Sequence, residues 1–134
     1  MELKNILHIS GKKGLYKILS QSKSFIVVES LNEKKKMPIY GNSNANSLDD
    51  ITIYTYEGTI PLSKVLIRIY QKEKGGECIS HKSTSQEMSV YFREVLKEYN
   101  EDRVYISDIK KILQWYNILC KTEILKKVAS NQEK

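Results

Sequence analysis

Cysteine is scarce in this chain, with only Cys78 and Cys120 among 134 residues. Two thiols make no disulfide framework, which points to an intracellular setting. They also leave a zinc site short of ligands. Cys78 and His81 have C-x-x-H spacing, but a structural zinc takes four ligands, and only Cys120 and His8 remain to complete the set. No metal site is expected. The same shortage speaks against Cys–His nucleophilic catalysis, because no third group is at hand to orient the pair. Long apolar runs are missing as well. No stretch approaches the roughly 18 apolar residues of a membrane span. His8, Ser10, Lys12 and Lys13 interrupt what would be the apolar centre of a secretory leader. The expectation is a soluble cytoplasmic protein with no cofactor and no membrane contact.

What the chain does hold is enough apolar material for a core. Hydrophobic residues make up 40% and charged residues 28%, a balance that argues against wholesale disorder. The length suits one ordinary domain or two small ones packed together. The formal net charge is +6, and the excess is local. Residues 1–40 hold eight lysines against three glutamates, an excess of five, while the other 94 residues hold 14 basic against 13 acidic side chains, an excess of one. A basic N-terminal third suits nucleic acid, an acidic protein or an anionic surface. A solvated lysine surface that keeps the protein soluble is the commoner meaning.

Between Ile6 and Tyr56 the pattern is short extended pieces separated by polar breaks. Ile6–Ser10 runs into GKKG, Leu15–Ser20 follows, and the β-branched run FIVVES suits a pleated, buried surface. Met37–Tyr40 comes after Lys34–Lys36; GNSNANS reads as loop, and Leu48–Asp50 as one tight turn. In ITIYTY, Ile51 and Ile53 share one face, and Thr52 and Tyr54 the other. Glu57-Gly58 reads as a turn. Strands this short, without long helices between them, cannot make the crossovers a parallel sheet requires. The expectation for residues 1–60 is a small SH3-like antiparallel β-barrel of the KOW or Tudor type. An open antiparallel sheet covered by helices is the alternative.

From Pro61 onward the rhythm is helical. Leu62, Val65, Leu66, Ile69 and Tyr70 follow the i, i+3, i+4, i+7, i+8 template, and Gly75-Gly76 ends that stretch. Thr84 and Glu87 fit a capping box ahead of Met88, Tyr91, Phe92, Val95 and Leu96, with Asn100 as a left-handed stop. Val104–Ile106 reads as extended. Ser107 is the expected cap of the most strongly patterned helix, whose stripe is Ile109, Ile112, Leu113, Tyr116, Leu119 and Cys120. Helices are expected near 61–73, 84–98, 107–121 and 123–129, forming a three- or four-helix unit over 61–134, with SNQEK fraying at the end. The fold class is therefore α+β. A DNA-binding helix-turn-helix is disfavoured, because the connection between the last two long helices is longer than its tight turn.

The segments ISGKKGLYKILSQ, FIVVESLNEKKKMP, SLDDITIYT and DRVYISDIKKILQWYNIL resemble a bacterial family of domains of unknown function. That resemblance implies a short N-terminal β-domain followed by a helical C-terminal domain, with no assigned activity and no catalytic residues to carry over.

Two sets of residues are candidates for binding. Gly11-Lys12-Lys13-Gly14 is not a Walker A loop, though it matches the bare G-x-x-G that clamps a nucleic-acid backbone in KH domains. If Lys12, Lys13 and Lys17 share a face with Lys34, Lys35 and Lys36, they make an electrostatic footprint. Tyr16, Phe25, Tyr40 and Tyr54 could offer stacking surface beside it. The plainer meaning is a glycine-bounded hairpin with lysines in solvent. Trp115 and Tyr116 are the second set, as anchors of an interface or of self-association into a homo-oligomer. An intramolecular junction is the preferred use of those rings. Asp49-Asp50 and Glu101-Asp102 are explained by turns and helix starts. The function expected is a non-catalytic binding or adaptor protein, for nucleic acid through the lysines or for another protein through the aromatic helix. An enzyme is the third class, reopened only by a deep pocket that holds His8 or His81 beside carboxylates.

Overall fold

The computed structural model of the chain describes residues 2–41 and 44–132. Over the described residues the protein is mixed α+β, with a five-stranded antiparallel sheet, a separate two-stranded hairpin and four α-helices. The sheet is built from β1 (Ile6–Ile9), β2 (Tyr16–Gln21), β3 (Phe25–Ser30), β4 (Lys36–Tyr40) and β5 (Ala45–Ser47), in the order β4-β3-β2-β1-β5. β4 and β5 are the outer strands, and β4 carries Pro38, which has no N–H to offer. The register of β2 on β3 shifts between Ile18 and Ser20, a bulge that adds local twist.

β5 corrects the reading of GNSNANS as loop. Its last three residues pair with β1, as Leu7↔Ser47, His8↔Asn46 and Ile9↔Ala45. Residues 42 and 43 of that stretch lie outside the described residues. The composition misled because pairing here is imposed by the free side of β1, and tertiary context overrides strand propensity. Ser47 fixes the join: its Oγ donates to Lys4 O at 2.9 Å and accepts the Asp49 N–H at 3.2 Å, starting a 3-10 turn over Leu48–Asp50.

β6 (Thr52–Thr55) and β7 (Gly58–Pro61) form the hairpin around Tyr56-Glu57. The hairpin leans on the helical part through backbone bonds, Tyr56 N–H to Glu98 O at 3.1 Å and Asn100 N–H to Tyr54 O at 3.0 Å. Asn100 is therefore held by β6 and is not the left-handed stop expected there; among the described non-glycine residues only Lys34 and Lys74 have positive φ.

The helices are α1 (Leu62–Lys72), α2 (Ser85–Val95), α3 (Ile106–Cys120) and α4 (Ile124–Gln132). Each long helix buries most of the stripe its periodicity defines: Leu62, Val65, Leu66 and Ile69 in α1; Met88, Tyr91, Phe92 and Val95 in α2, with Leu96 buried just past its end; Ile109, Ile112, Leu113, Tyr116 and Leu119 in α3; Tyr70 and Cys120 are half-buried. Thr84 and Glu87 close a reciprocal capping box, with bonds of 2.9 and 3.1 Å. α3 begins one residue before Ser107, so Ser107 lies inside the first turn and does not cap it. Asp108 does that work, its Oδ2 accepting the Tyr105 N–H at 2.9 Å. The frayed end expected at SNQEK falls partly outside the described residues, and α4 runs to Gln132.

Two apolar clusters hold these parts. The larger joins Leu3, Ile6, Leu15 and Leu48 of the N-terminal part to the stripes of all four helices. The smaller consists of Leu7, Ile9, Tyr16, Val28 and Ile39, with Ile18, Ile26, Met37 and Ala45 at its margin, all from β1–β5. β1 thus serves both, Ile6 turning to the helices and Leu7 and Ile9 to the strand-lined cluster. Among the described residues, no helix is long and apolar enough to cross a membrane.

Candidate functional site

Antiparallel pairing puts the β1–β2 turn and the β3–β4 turn at the same end of the sheet. The Leu31 N–H ties them, donating to Leu15 O at 2.9 Å. Gly11 and Gly14 have φ of +82° and +83°, a region open to glycine, and they let the chain turn with Lys12 and Lys13 exposed between them. A Cβ on Gly14 would lie 3.0 Å from Asn32 Oδ1 of the neighbouring turn. Lys34 has φ 61° and donates its N–H to Ser30 O at 2.9 Å. Lys12, Lys13, Lys34 and Lys35 therefore gather at one end, with Glu33 among them. Lys17 and Lys36 sit farther down the strands, opposite Glu29 from either side, so a carboxylate separates them. The motif Gly11–Gly14 joins two strands, whereas a KH loop joins two helices, which removes the KH likeness.

The lysine end adjoins α3. Lys12 and Lys13 border a groove with Tyr16, Asn32, Glu33 and Gln114. Beyond it stands His81, whose pKa lies below its ordinary value through burial and then through Lys110, Lys82 and Lys13. Lys17 and Lys34 border a separate groove with Glu29, Glu123 and Lys127, and Lys35 and Lys36 border neither, so the six N-terminal lysines are not brought together in one groove. Of the expected stacking rings, Tyr16 is buried; Phe25 and Tyr40 are exposed but pair at the opposite end of the sheet from the lysine-bearing turns; and Tyr54 lies in β6 under Arg103.

Trp115 and Tyr116 are buried within the chain, 6% and 0% exposed. Trp115 meets His8 of β1 with ring centroids 5.1 Å apart. Tyr116 donates its Oη–H to Gly76 O at 2.7 Å. Trp115 thus serves the junction between sheet and helices and Tyr116 the packing of α3 on the α1–α2 connection, and neither is available as a surface anchor.

At that junction is a cleft of about 220 Å³, bordered by His8 of β1, Ile51–Tyr54 of β6 and its approach, Arg103 and Val104 ahead of α3, and Asp108, Lys111, Ile112 and Trp115 of α3. Arg103 lies 3.9 Å above the Tyr54 ring, close enough for a cation–π contact. Burial, and then the Lys111 charge, hold the His8 pKa below its ordinary value. Asp108 shares the cleft, but its Oδ2 holds the Tyr105 N–H, and among the described residues no hydrogen bond joins it to His8. No local sequence signal marks this cleft, because its walls come from elements far apart in the chain.

Cys78 is buried, and its thiol contacts the Ile79 and Leu113 carbonyls. Burial first, and then Glu73, push it up to about 12, so it carries no thiolate at neutral pH. The described residues contain no group of three or more His, Cys, Asp or Glu side chains arranged to hold a metal ion. Of the paired acids, Asp49 and Asp50 lie in the 3-10 turn and Glu101 pairs with Arg93.

Fold and surface define a small α+β protein in which a lysine-bearing sheet is joined to a helical unit through an aromatic seam. Residues 51–119 match the family described as Domain of unknown function (DUF6852), and the chain belongs to it. Residues 3–48 match a second family, Domain of unknown function (DUF5606). A protein from Bacteroides vulgatus, solved by solution NMR, is similar at 45% identity over 91% of this chain and 88% of that one, with a TM-score of 0.75. No curated protein matches. The resemblance read from the sequence, an N-terminal β part followed by helices in a family without assigned activity, is the one these matches show.

Proposed function

We propose that the chain is a non-catalytic cytoplasmic binding protein that engages nucleic acid through the lysine end of its sheet. The observation that carries this reading is the Leu31–Leu15 tie, which draws the turns bearing Lys12, Lys13, Lys34 and Lys35 to one end. Lys82 and Lys110 extend the charge from that end toward α3. Cations grouped like this release counterions from a phosphate backbone, so affinity should fall steeply with salt. A protein partner is the other reading, but with Trp115 and Tyr116 buried it would need a different surface from the one the sequence suggested. Catalysis forms no part of the proposal, because the Cys78 thiol is held protonated and His8 has no hydrogen-bonded carboxylate among the described residues.

An SH3-like barrel over residues 1–60, followed by a helical unit over 61–134, belongs to the same proposal. What supports the barrel is the smaller cluster: Val28 is 0% exposed although strands alone supply its cluster, and a flat sheet cannot cover its own face. The bulge in β2 supplies the bend that curling needs.

The test is fluorescence anisotropy with a labelled single-stranded oligonucleotide over a salt series. The expected outcome is binding that weakens with salt. Changing Lys12, Lys13, Lys34 and Lys35 together to Glu should abolish it. Binding unchanged by the four substitutions overturns the proposal.

A further inference from the structure

We propose that the cleft between β1, β6 and α3 is a binding site for a small organic monoanion, one ring or a short apolar body bearing a single acidic group. Its walls are apolar, supplied by Ile53, Ile112 and Trp115. Its volume of about 220 Å³ is below the roughly 300–1,000 Å³ of sites for drug-sized ligands, which limits the occupant to about one ring.

Charge selects the sign of the ligand. Arg103 and Lys111 border the cleft against one carboxylate, Asp108, which leaves one positive charge in excess. Among the described residues, neither cation forms an ion pair. Asp108 accepts the Tyr105 N–H through Oδ2, which fixes its carboxylate at the start of α3. Arg103 is held over the Tyr54 ring, and a guanidinium ordered in advance presents its planar fork to a carboxylate or phosphate at a smaller loss of freedom. The ligand therefore lays its apolar body against Trp115 and its acidic group toward Arg103 and Lys111. This site does not depend on the lysine end of the sheet, and either can fail without the other.

Trp115 is the only tryptophan in the chain, so its indole N–H is an unambiguous reporter in an NMR titration. The probes are benzoate and phenyl phosphate as the two acidic heads, with benzyl alcohol as the neutral control. The expected result is a saturable shift of the Trp115 indole and Ile53 amide signals with at least one acidic probe. Benzyl alcohol should bind at least tenfold more weakly. Lys111→Met replaces an exposed side chain and leaves the packed core intact; it should weaken the acidic probe at least fivefold, and more so when combined with Arg103→Gln. The proposal is overturned if neither acid gives a saturable shift at Trp115, if benzyl alcohol binds as well as the acids, or if the shifts map to residues away from the cleft. It is also overturned if the acid binds Lys111→Met undiminished.

Discussion

Ile6→Ala tests whether sheet and helices stand or fall together. Ile6 belongs to β1, is 2% exposed, and packs in the cluster that also holds the stripes of the four helices. The substitution removes three carbons. At about 0.8 kcal/mol for each, the lost transfer energy is about 2.4 kcal/mol, and the cavity left behind raises the range to about 2–5 kcal/mol. With an unfolding entropy of about 2.1 cal/mol/K per residue, each kcal/mol lowers the melting temperature of a chain this long by about 3–4 °C, so the expected fall is about 7–18 °C. The assay is thermal unfolding followed by far-ultraviolet circular dichroism, for the helices, and by fluorescence of Trp115, for the seam. Both signals should fall by the same amount in one transition. If the helical signal melts at the wild-type temperature while the Trp115 signal melts early, the core is not shared and the reasoning fails.

Two further perturbations read the turn and the cleft. Gly11→Ala and Gly14→Ala should each cost about 1–2 kcal/mol in chemical denaturation, because both positions need φ near +80°. The Asn32 side chain that a Cβ on Gly14 would meet is exposed and can turn aside, so the two losses should be alike, and a wild-type midpoint for either variant would refute the backbone argument. For His8, whose folded pKa is depressed below 6.5, the unfolded chain binds the proton more readily. Its contribution to stability is therefore present above pH 6.5 and is lost as pH falls from that value through the lower folded pKa. His8→Gln should flatten the fall in melting temperature between pH 7.5 and 5.5, leaving only the slope due to His81, whose pKa is also lowered; an unchanged slope would count against the assignment.

The helices were legible because a 3.6-residue period and the Thr84–Glu87 box are local signals, and the buried stripes follow them. FIVVES was legible for the same reason, its β-branched run occupying β3. β5 and β7 were not. ANS holds no strand former, GTIP sets Thr59 and Ile60 between a glycine and a proline, and they pair because β1 and β6 offer them an open side. The start of α3 was misjudged by one residue because Ser107 and Asp108 are both good capping residues, and only the path of the backbone decides which carboxylate or hydroxyl meets the Tyr105 N–H. The lysines could be read from composition, but which of them border which groove depends on register. The cleft depends on contacts such as His8 to Trp115 and Arg103 to Tyr54, which no window of sequence contains.

The outer strands of the sheet carry a consequence for how copies of this protein can meet. On one rim stands an imino acid, Pro38, which breaks the row of donors a docking strand would use. On the other rim the final strand is only three residues long, too brief to template a neighbour. Molecules strung together by strand addition have no good splice on either side, so crowding in solution favours contacts through side chains over a growing ribbon.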